Sequence, residues 1–152
     1  MVIPATLPGG ALGTLLRHTG TSNANFLSFV NNILLGQCSY SDAAIAPDGS
    51  FANIESNSNT CRLLLPPLQS GNQVSATPGA INLAPLAANG GPTETRLPQP
   101  SSIAINNGYA LACTFDPLDQ RGYFRIDGAC DIGSVELDGM SDRLFVDGFD
   151  VD

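Results

Sequence analysis

The sequence predicts an all-β, turn-rich domain, and three observations carry that prediction. Sixteen glycines and eleven prolines, with many Asn and Ser, divide the apolar residues into short runs. Short runs between turn residues read as strands. Glutamate occurs three times and lysine never, so the Ala, Glu, Lys and Leu chemistry of coiled coils and helical bundles is missing. Finally, 43% of the residues are apolar and 13% charged, a balance that sustains a core and argues against disorder. A length of 152 residues suits one domain and is short for two.

The first apolar block spans residues 11–36. Phe26, Phe29, Val30, Ile33 and Leu34 follow the i, i+3, i+4 spacing of an amphipathic helix, with Asn23 or Asn25 as a candidate N-cap. Asn31 and Asn32 in mid-segment, among Phe, Val and Ile, are mediocre helix formers. A strand buried on both faces would show the same apolar density. From 37 to 82 short apolar pieces alternate with turn signals: Pro47-Asp48-Gly49, Ser56-Asn57-Ser58-Asn59, Pro66-Pro67, Gly71-Asn72 and Pro78-Gly79. The run Leu63-Leu64-Leu65-Pro66-Pro67-Leu68 reads either as a core rung turning a corner or as a partner surface. Residues 83–100, with Asn89-Gly90-Gly91-Pro92, Pro98 and Pro100, must be loop. Ile103 and Ile105 fall on one face of an expected short strand ending at Asn106-Asn107-Gly108.

The charge is lopsided. Fourteen acidic residues face six basic ones, all arginine, for a formal net charge of −8. Ten of the acids lie in the last 37 positions, beside Arg121, Arg125 and Arg143. Six scattered arginines make no basic stripe, so no nucleic-acid partner is expected. No window approaches the roughly 18 consecutive apolar residues of a membrane span. Met1-Val2-Ile3-Pro4 carries no basic start, and Pro8-Gly9-Gly10 interrupts the place of a signal-peptide core. An exported protein of this sequence would therefore be a mature or truncated piece of a longer parent chain.

Four cysteines, Cys38, Cys61, Cys113 and Cys130, form no Cys-x-x-Cys pair, and His18 is the single histidine, so zinc or thioredoxin-like chemistry has no support. Three disulfide connectivities exist on paper. Pairing sequence neighbours would close two loops of roughly 20 residues, each stabilising by about 3 kcal/mol in the loop-entropy model. The alternative is four buried thiols in a reducing compartment. The scarcity of Lys and abundance of Asn, Ser and Gly favour disulfides and export.

A family resemblance emerges between about Leu83 and Glu136. Leu86-Ala87-Ala88-Asn89-Gly90-Gly91-Pro92-Thr93-Glu94-Thr95, then Ser102-Ile103-Ala104-Ile105-Asn106-Asn107-Gly108, Cys113, Asp119-Gln120-Arg121-Gly122, Arg125, and Cys130-Asp131-Ile132-Gly133 with Glu136 follow one another in a defined order. That order resembles the C-terminal portion of the bacterial surface proteins called "choice-of-anchor" domain proteins, the Q type in particular. Upstream, Asn31-Asn32-Ile33-Leu34-Leu35-Gly36, Cys38 and Cys61 are similar to the preceding rungs of that family, where a cysteine pair recurs. The resemblance covers most of residues 20–137. Arg96 stands where the family often has His, and Asn106 where it has Asp; the proline that follows the Asp119–Gly122 run is replaced near Phe124, and Val135 takes the place of an aromatic. The tail Leu144–Asp150 is similar to short endings on exported proteins of Gram-negative bacteria.

This resemblance implies a right-handed parallel β-helix of few coils with a loop-rich, disulfide-closed C-terminal cap. Residues 1–137 would form the end of the stack with its cap, and 138–152 an acidic tail. It tips residues 26–35 from helix to strand. Stacked coils touch only their neighbours and can align asparagines in ladders. The open end would expose strand edges and needs a cover. The location implied is extracellular or at the cell surface of a Gram-negative bacterium.

Chemistry is sparse. Asp116, Asp119, Asp127 and Asp131 could gather Ca²⁺, which wants about six to eight oxygen ligands, or include a glycosidase carboxylate pair. Against both stands a structural role in which Asp119 and Asp131 pair with Arg121 and Arg125 and fix turns; two arginines within the cluster favour it. Asn89-Gly90-Gly91-Pro92 lacks the Lys and helix of a phosphate loop. His18, without a Gly-x-Ser-x-Gly motif, makes no triad and is expected on the surface or in a rung. No catalytic residue and no cofactor are therefore expected. The reading is a structural or adhesive module of an exported protein, with carbohydrate or a cell-surface component as partner. The alternatives are a fragment of a polysaccharide lyase or glycoside hydrolase, and a trimeric fibre piece.

Overall fold

The computed structural model describes residues 2–4, 14–18, 28–40, 48–65, 68–125 and 129–141. Ten short strands and two short helices follow in order. The strands are β1 (Val2–Pro4), β2 (Thr14–His18), β3 (Ser28–Val30), β4 (Ile33–Leu35), β5 (Gln37–Tyr40), β6 (Gly49–Phe51), β7 (Ile54–Glu55) and β8 (Leu68–Ser70). Then come α1 (Pro78–Ile81), α2 (Ala110–Phe115), β9 (Tyr123–Phe124) and β10 (Met140–Ser141). Parallel pairing dominates: β1-β4-β7, β3-β6-β8 and β2-β5 are parallel sheets, and β9 with β10 is the antiparallel exception.

The sheets share a register. Phe29 pairs with Ser50 and Ser50 with Gln69 in one; Ile33 pairs with Ile54 and Ile54 with Gln73 in the other. Between the two sheets the chain turns the same corner three times. Asn31, Ala52 and Gly71 all take the left-handed conformation, with φ of 53°, 49° and 69°, and an asparagine follows each. Asn and Gly reach this region readily, whereas Ala52 pays a steric cost there. The asparagines stack. Asn53, 21 residues from Asn32, accepts from the Asn32 backbone N–H through Oδ1 at 2.9 Å. Asn72, 19 residues further on, accepts from the Asn53 N–H through Oδ1 at 3.1 Å. The Asn53 side chain also donates to Asn72 Oδ1 and to the Phe29 carbonyl, both at 2.9 Å. A polar side chain that is wholly buried at Asn53 is tolerated because each of its polar atoms is bonded.

Alternation along β4 divides the core in two. Leu34 joins Phe29, Cys38, Cys61 and Leu63 on one side of the sheet. Ile33 joins Ala52, Ile54, Ala76, Ile81, Ala104 and Ile132 on the other. The second cluster is supplied from late in the chain, so the block after Ala76 lies along the outward face of β4 and β7. It is anchored at the first corner. Asn31 accepts from Tyr109 N–H at 2.6 Å through Oδ1 and from Gly133 N–H at 3.0 Å through its carbonyl. The Tyr109 ring stacks on Phe51, centroids 4.8 Å apart.

Several expectations are met and some are corrected. Residues 28–30 and 33–35 are strands, split by the left-handed Asn31; tertiary pairing overrides the helical spacing. Phe26, Asn23 and Asn25 lie outside the described residues. The stretch 83–100 is irregular, held by isolated bridges Leu83–Pro98 and Ala87–Thr95. The strand expected at Ile103 and Ile105 is instead a series of turns. There Ala104, between the two isoleucines, points into the core, and Ser102 Oγ donates to the Ile81 carbonyl at 2.6 Å. Pro78-Gly79 opens α1 rather than a simple turn: Thr77 caps it, and Pro78 fits the first helical position because its missing N–H has no partner to lose. The chain is thus rich in strands with a few short helices, not strictly all-β. No described helix is long and apolar enough to cross a membrane.

Candidate functional site

Both neighbour disulfides form: Cys38–Cys61 and Cys113–Cys130. The first ties β5 to the loop that follows β7, inside the core. Beside it Glu55 is fully buried, accepting from the Thr60 N–H at 2.6 Å, the Thr60 hydroxyl at 2.5 Å and the Cys61 N–H at 3.2 Å. The second disulfide fastens α2 to the segment carrying Asp131. Two disulfides are compatible with an extracellular protein.

The acidic residues of the terminal block come together around two arginines. Asp119 sits in the turn before β9. Its Oδ1 accepts from the Arg121 and Tyr123 N–H groups at 2.7 and 3.1 Å, and its Oδ2 from the Glu136 N–H at 3.1 Å. Arg121 Nη2 lies 2.8 Å from Asp119 Oδ2, donates to the Glu136 carbonyl and places its guanidinium 4.2 Å over the Tyr123 ring. Asp131 accepts from the Asn106 N–H at 2.8 Å and the Leu137 N–H at 2.7 Å, one on each oxygen. Arg125 pairs with Glu136 at 2.8 Å and donates to the Gly133 carbonyl at 3.0 Å. The pairing expected between Asp119 and Arg121 is present. The partner expected for Arg125 is corrected: its ion pair is with Glu136, and Asp131 offers it only a backbone carbonyl at 3.4 Å.

Burial is the main influence on Glu136. It pushes the carboxyl above its ordinary value of 4.5, and the nearby Asp131 charge pushes the same way. The Asp131 N–H and the Arg125 guanidinium act in the opposite direction.

Of the calcium candidates, Asp119 and Asp131 belong to this cluster, Asp116 is exposed at the end of α2, and Asp127 lies outside the described residues. Asp119 and Asp131 face N–H donors with both oxygens. A cation would have to displace those bonds. Among the described residues no group of three or more His, Cys, Asp or Glu side chains is placed to hold a metal ion. His18 lies on β2.

Next to the cluster is an open groove of about 470 Å³ between the first corner and the terminal block, lined by Val30, Asn31, Cys113, Asp116, Leu118, Asp119, Arg125 and Ser134 among others. Asp119 and Arg125 on its wall are already paired, with Arg121 and Glu136 respectively, which leaves Asp116 as the exposed carboxylate there. Chemically the groove offers hydrogen bonds and modest apolar contact. The sequence reading names Glu136 only within the family resemblance and asparagine ladders only as something stacked coils allow, and it does not single out Glu55. Glu136 and Glu55 are single acids in unremarkable contexts, and only the fold shows the donors around them. The Asn32, Asn53 and Asn72 ladder left a readable signal, an asparagine at near-constant spacing ahead of an apolar or amide residue. Comparison with family models, with curated proteins and with solved structures returns no match.

Proposed function

We propose that the chain is a non-enzymatic module of an exported bacterial surface protein. In this reading residues 1–137 form the end of a right-handed parallel β-helix of few coils with its covering block, and 138–152 an acidic tail. The observation that carries it is the use of the terminal acids: Asp119 and Asp131 spend both carboxylate oxygens on backbone N–H groups and, at Asp119, on Arg121, while the buried Glu136 holds the Arg125 guanidinium and the Asp131 N–H on Oε2. Groups so committed hold loops in place. A general acid or nucleophile needs an oxygen free for substrate. The repeated left-handed corner with its asparagine ladder supports the stacked-coil reading, and the two disulfides support an oxidising compartment. Carbohydrate or another cell-surface component is the proposed partner class, with the groove beside Asp116 as the place for it.

The test is turnover. Incubation with acidic oligosaccharides, with and without Ca²⁺, is expected to release no unsaturated or reducing product. Product formation abolished by Asp116→Asn or Asp119→Asn, in a protein that keeps its circular dichroism spectrum, would establish the lyase or hydrolase alternative instead.

A further inference from the structure

We propose that Cys113–Cys130 is a thiol–disulfide exchange site, opened by a low-molecular-weight thiol or dithiol that enters through the groove and attacks Cys113. This goes beyond the proposed function and stands independently of it. The two crosslinks differ in access. Cys38 and Cys61 are 8% and 0% exposed and belong to the core around Leu34, whereas Cys113 is half-buried and lines the groove. Exchange rates follow access to the sulfur. The core crosslink therefore waits for unfolding, and the groove crosslink does not.

The surroundings also decide which sulfur is attacked. Cys130 is 2% exposed, and the room beside it is taken by Gly108, where even a methyl would come within 2.7 Å of its sulfur. Cys113 offers the open side. Asn31, which also lines the groove, donates from Nδ2 to Cys113 Sγ at 3.3 Å. During exchange negative charge spreads over three sulfurs in line, and an N–H held at the attacked one steadies it. Asp116, the exposed carboxylate on the wall, sets the preference among thiols. It attracts a thiol that carries a cation and repels one that carries a second anion.

The incoming thiolate bonds to Cys113 Sγ, the Cys113–Cys130 bond breaks, and its electron pair leaves on Cys130, which takes a proton from water. The second thiolate of a dithiol then attacks the reagent's own sulfur in the mixed disulfide. A cyclic disulfide closes, and Cys113 leaves as a thiolate that is protonated in turn. The dithiol is oxidised by two electrons and the crosslink reduced by two. What this frees is α2. None of its six residues is buried, and no side chain caps its start. Among the described residues its one side-chain tie to the rest of the chain is Cys113, through the disulfide and Asn31. Once the crosslink opens, α2 is held at Tyr109, whose N–H stays on Asn31 Oδ1. Ala112 and Cys113 belong to the groove wall, so exchange reshapes the groove while Cys38–Cys61 still fastens the core.

The test treats the folded full chain with dithiothreitol at about pH 8, alkylates samples at intervals and maps the labelled cysteines by mass spectrometry. Cys113 and Cys130 should be labelled at least about tenfold faster than Cys38 and Cys61. Over that interval hydrogen exchange should quicken in α2 and stay unchanged in β4 and β6. With the monothiols cysteamine and 2-mercaptoethanesulfonate at equal thiolate concentration and low salt, acid quenching should trap the adduct on Cys113. Cysteamine should react about threefold faster or more, and Asp116→Asn, at an exposed position, should narrow that gap. Equal labelling of all four cysteines, earlier opening of Cys38–Cys61, or an adduct on Cys130 would each overturn the proposal. So would the absence of a preference for cysteamine, or a preference that Asp116→Asn leaves unchanged.

Discussion

Replacing Asn53 by alanine removes the centre of the asparagine ladder, and the loss can be worked from its bonds. The side chain is fully buried. Its Oδ1 accepts from Asn32 N–H, and its Nδ2 donates to the carbonyls of Phe29 and Phe51 and to Asn72 Oδ1. Alanine leaves the Asn32 N–H and the Phe29 carbonyl without these partners in a site closed to water. A buried polar group left unpaired costs about 1–3 kcal/mol. Two such groups, with the smaller loss at Asn72, give about 3 kcal/mol, a large share of the roughly 5–15 kcal/mol that holds a domain folded. For a chain of this size that lowers Tm by about 6–12 °C. Asn32→Ala is the control. Asn32 is half-buried and sits at the giving end of the ladder, so its loss should be less than half as large. Urea denaturation of the three proteins, with m-values compared to confirm a common unfolded state, measures the difference. Equal costs at Asn32 and Asn53, or a cost at Asn53 below about 1 kcal/mol, would refute the claim that the buried ladder fixes the corners.

Other consequences are equally direct. Reduction of both disulfides should lower Tm by several degrees or more, since each crosslink contributes about 3 kcal/mol; an unchanged melting curve in fully reduced protein would count against both. Glu136 has a raised folded-state value, so its contribution to stability is fully present below pH 4.5 and is lost as pH rises through that raised value. Glu136→Gln should flatten the Tm–pH profile over that window alone, and a parallel profile would show that another group is responsible. At Gly108 an added methyl would sit 2.6 Å from the Cys130 carbonyl oxygen and 2.7 Å from its sulfur. Gly108→Ala should therefore cost about 1–3 kcal/mol by overpacking and slow formation of the Cys113–Cys130 bond, which thiol trapping during refolding would detect. Millimolar Ca²⁺ against chelator should leave Tm unchanged, because Asp119 and Asp131 already accept N–H donors; a saturable rise with Ca²⁺ concentration would locate a bound ion.

The candidate site divides sharply between what could and could not be read. The Asp119–Arg121 turn was legible because a carboxylate two residues before an arginine closes a local loop by itself. Arg125 was misassigned to Asp131 because proximity in sequence says nothing about which of two nearby acids the guanidinium meets once the chain has folded back through Gly133. Ile103 and Ile105 carried a strand's alternation, yet the small Ala104 between them is what the space behind α1 admits. The leucine run divides for a similar reason: its composition favours a core rung turning a corner and also allows a contact surface, and its burial splits after Leu63.

By itself the sequence determined the properties that are local or additive. Turn residues keep the described elements short, the scarcity of Glu and absence of Lys disfavour long helices, and none is found among the described residues; four cysteines at neighbouring spacing allowed the crosslinks that form. Tertiary structure decided what depends on partners distant in the chain. Ile33 packs in one cluster with Ile132, Asn31 receives the backbone of Tyr109 and Gly133, and Glu136 becomes a buried acid held by Arg125. The physical reason is that a turn needs only its own residues' dihedral preferences. The burial of a side chain and the identity of its hydrogen-bond partner exist only after folding has brought segments distant in the chain together.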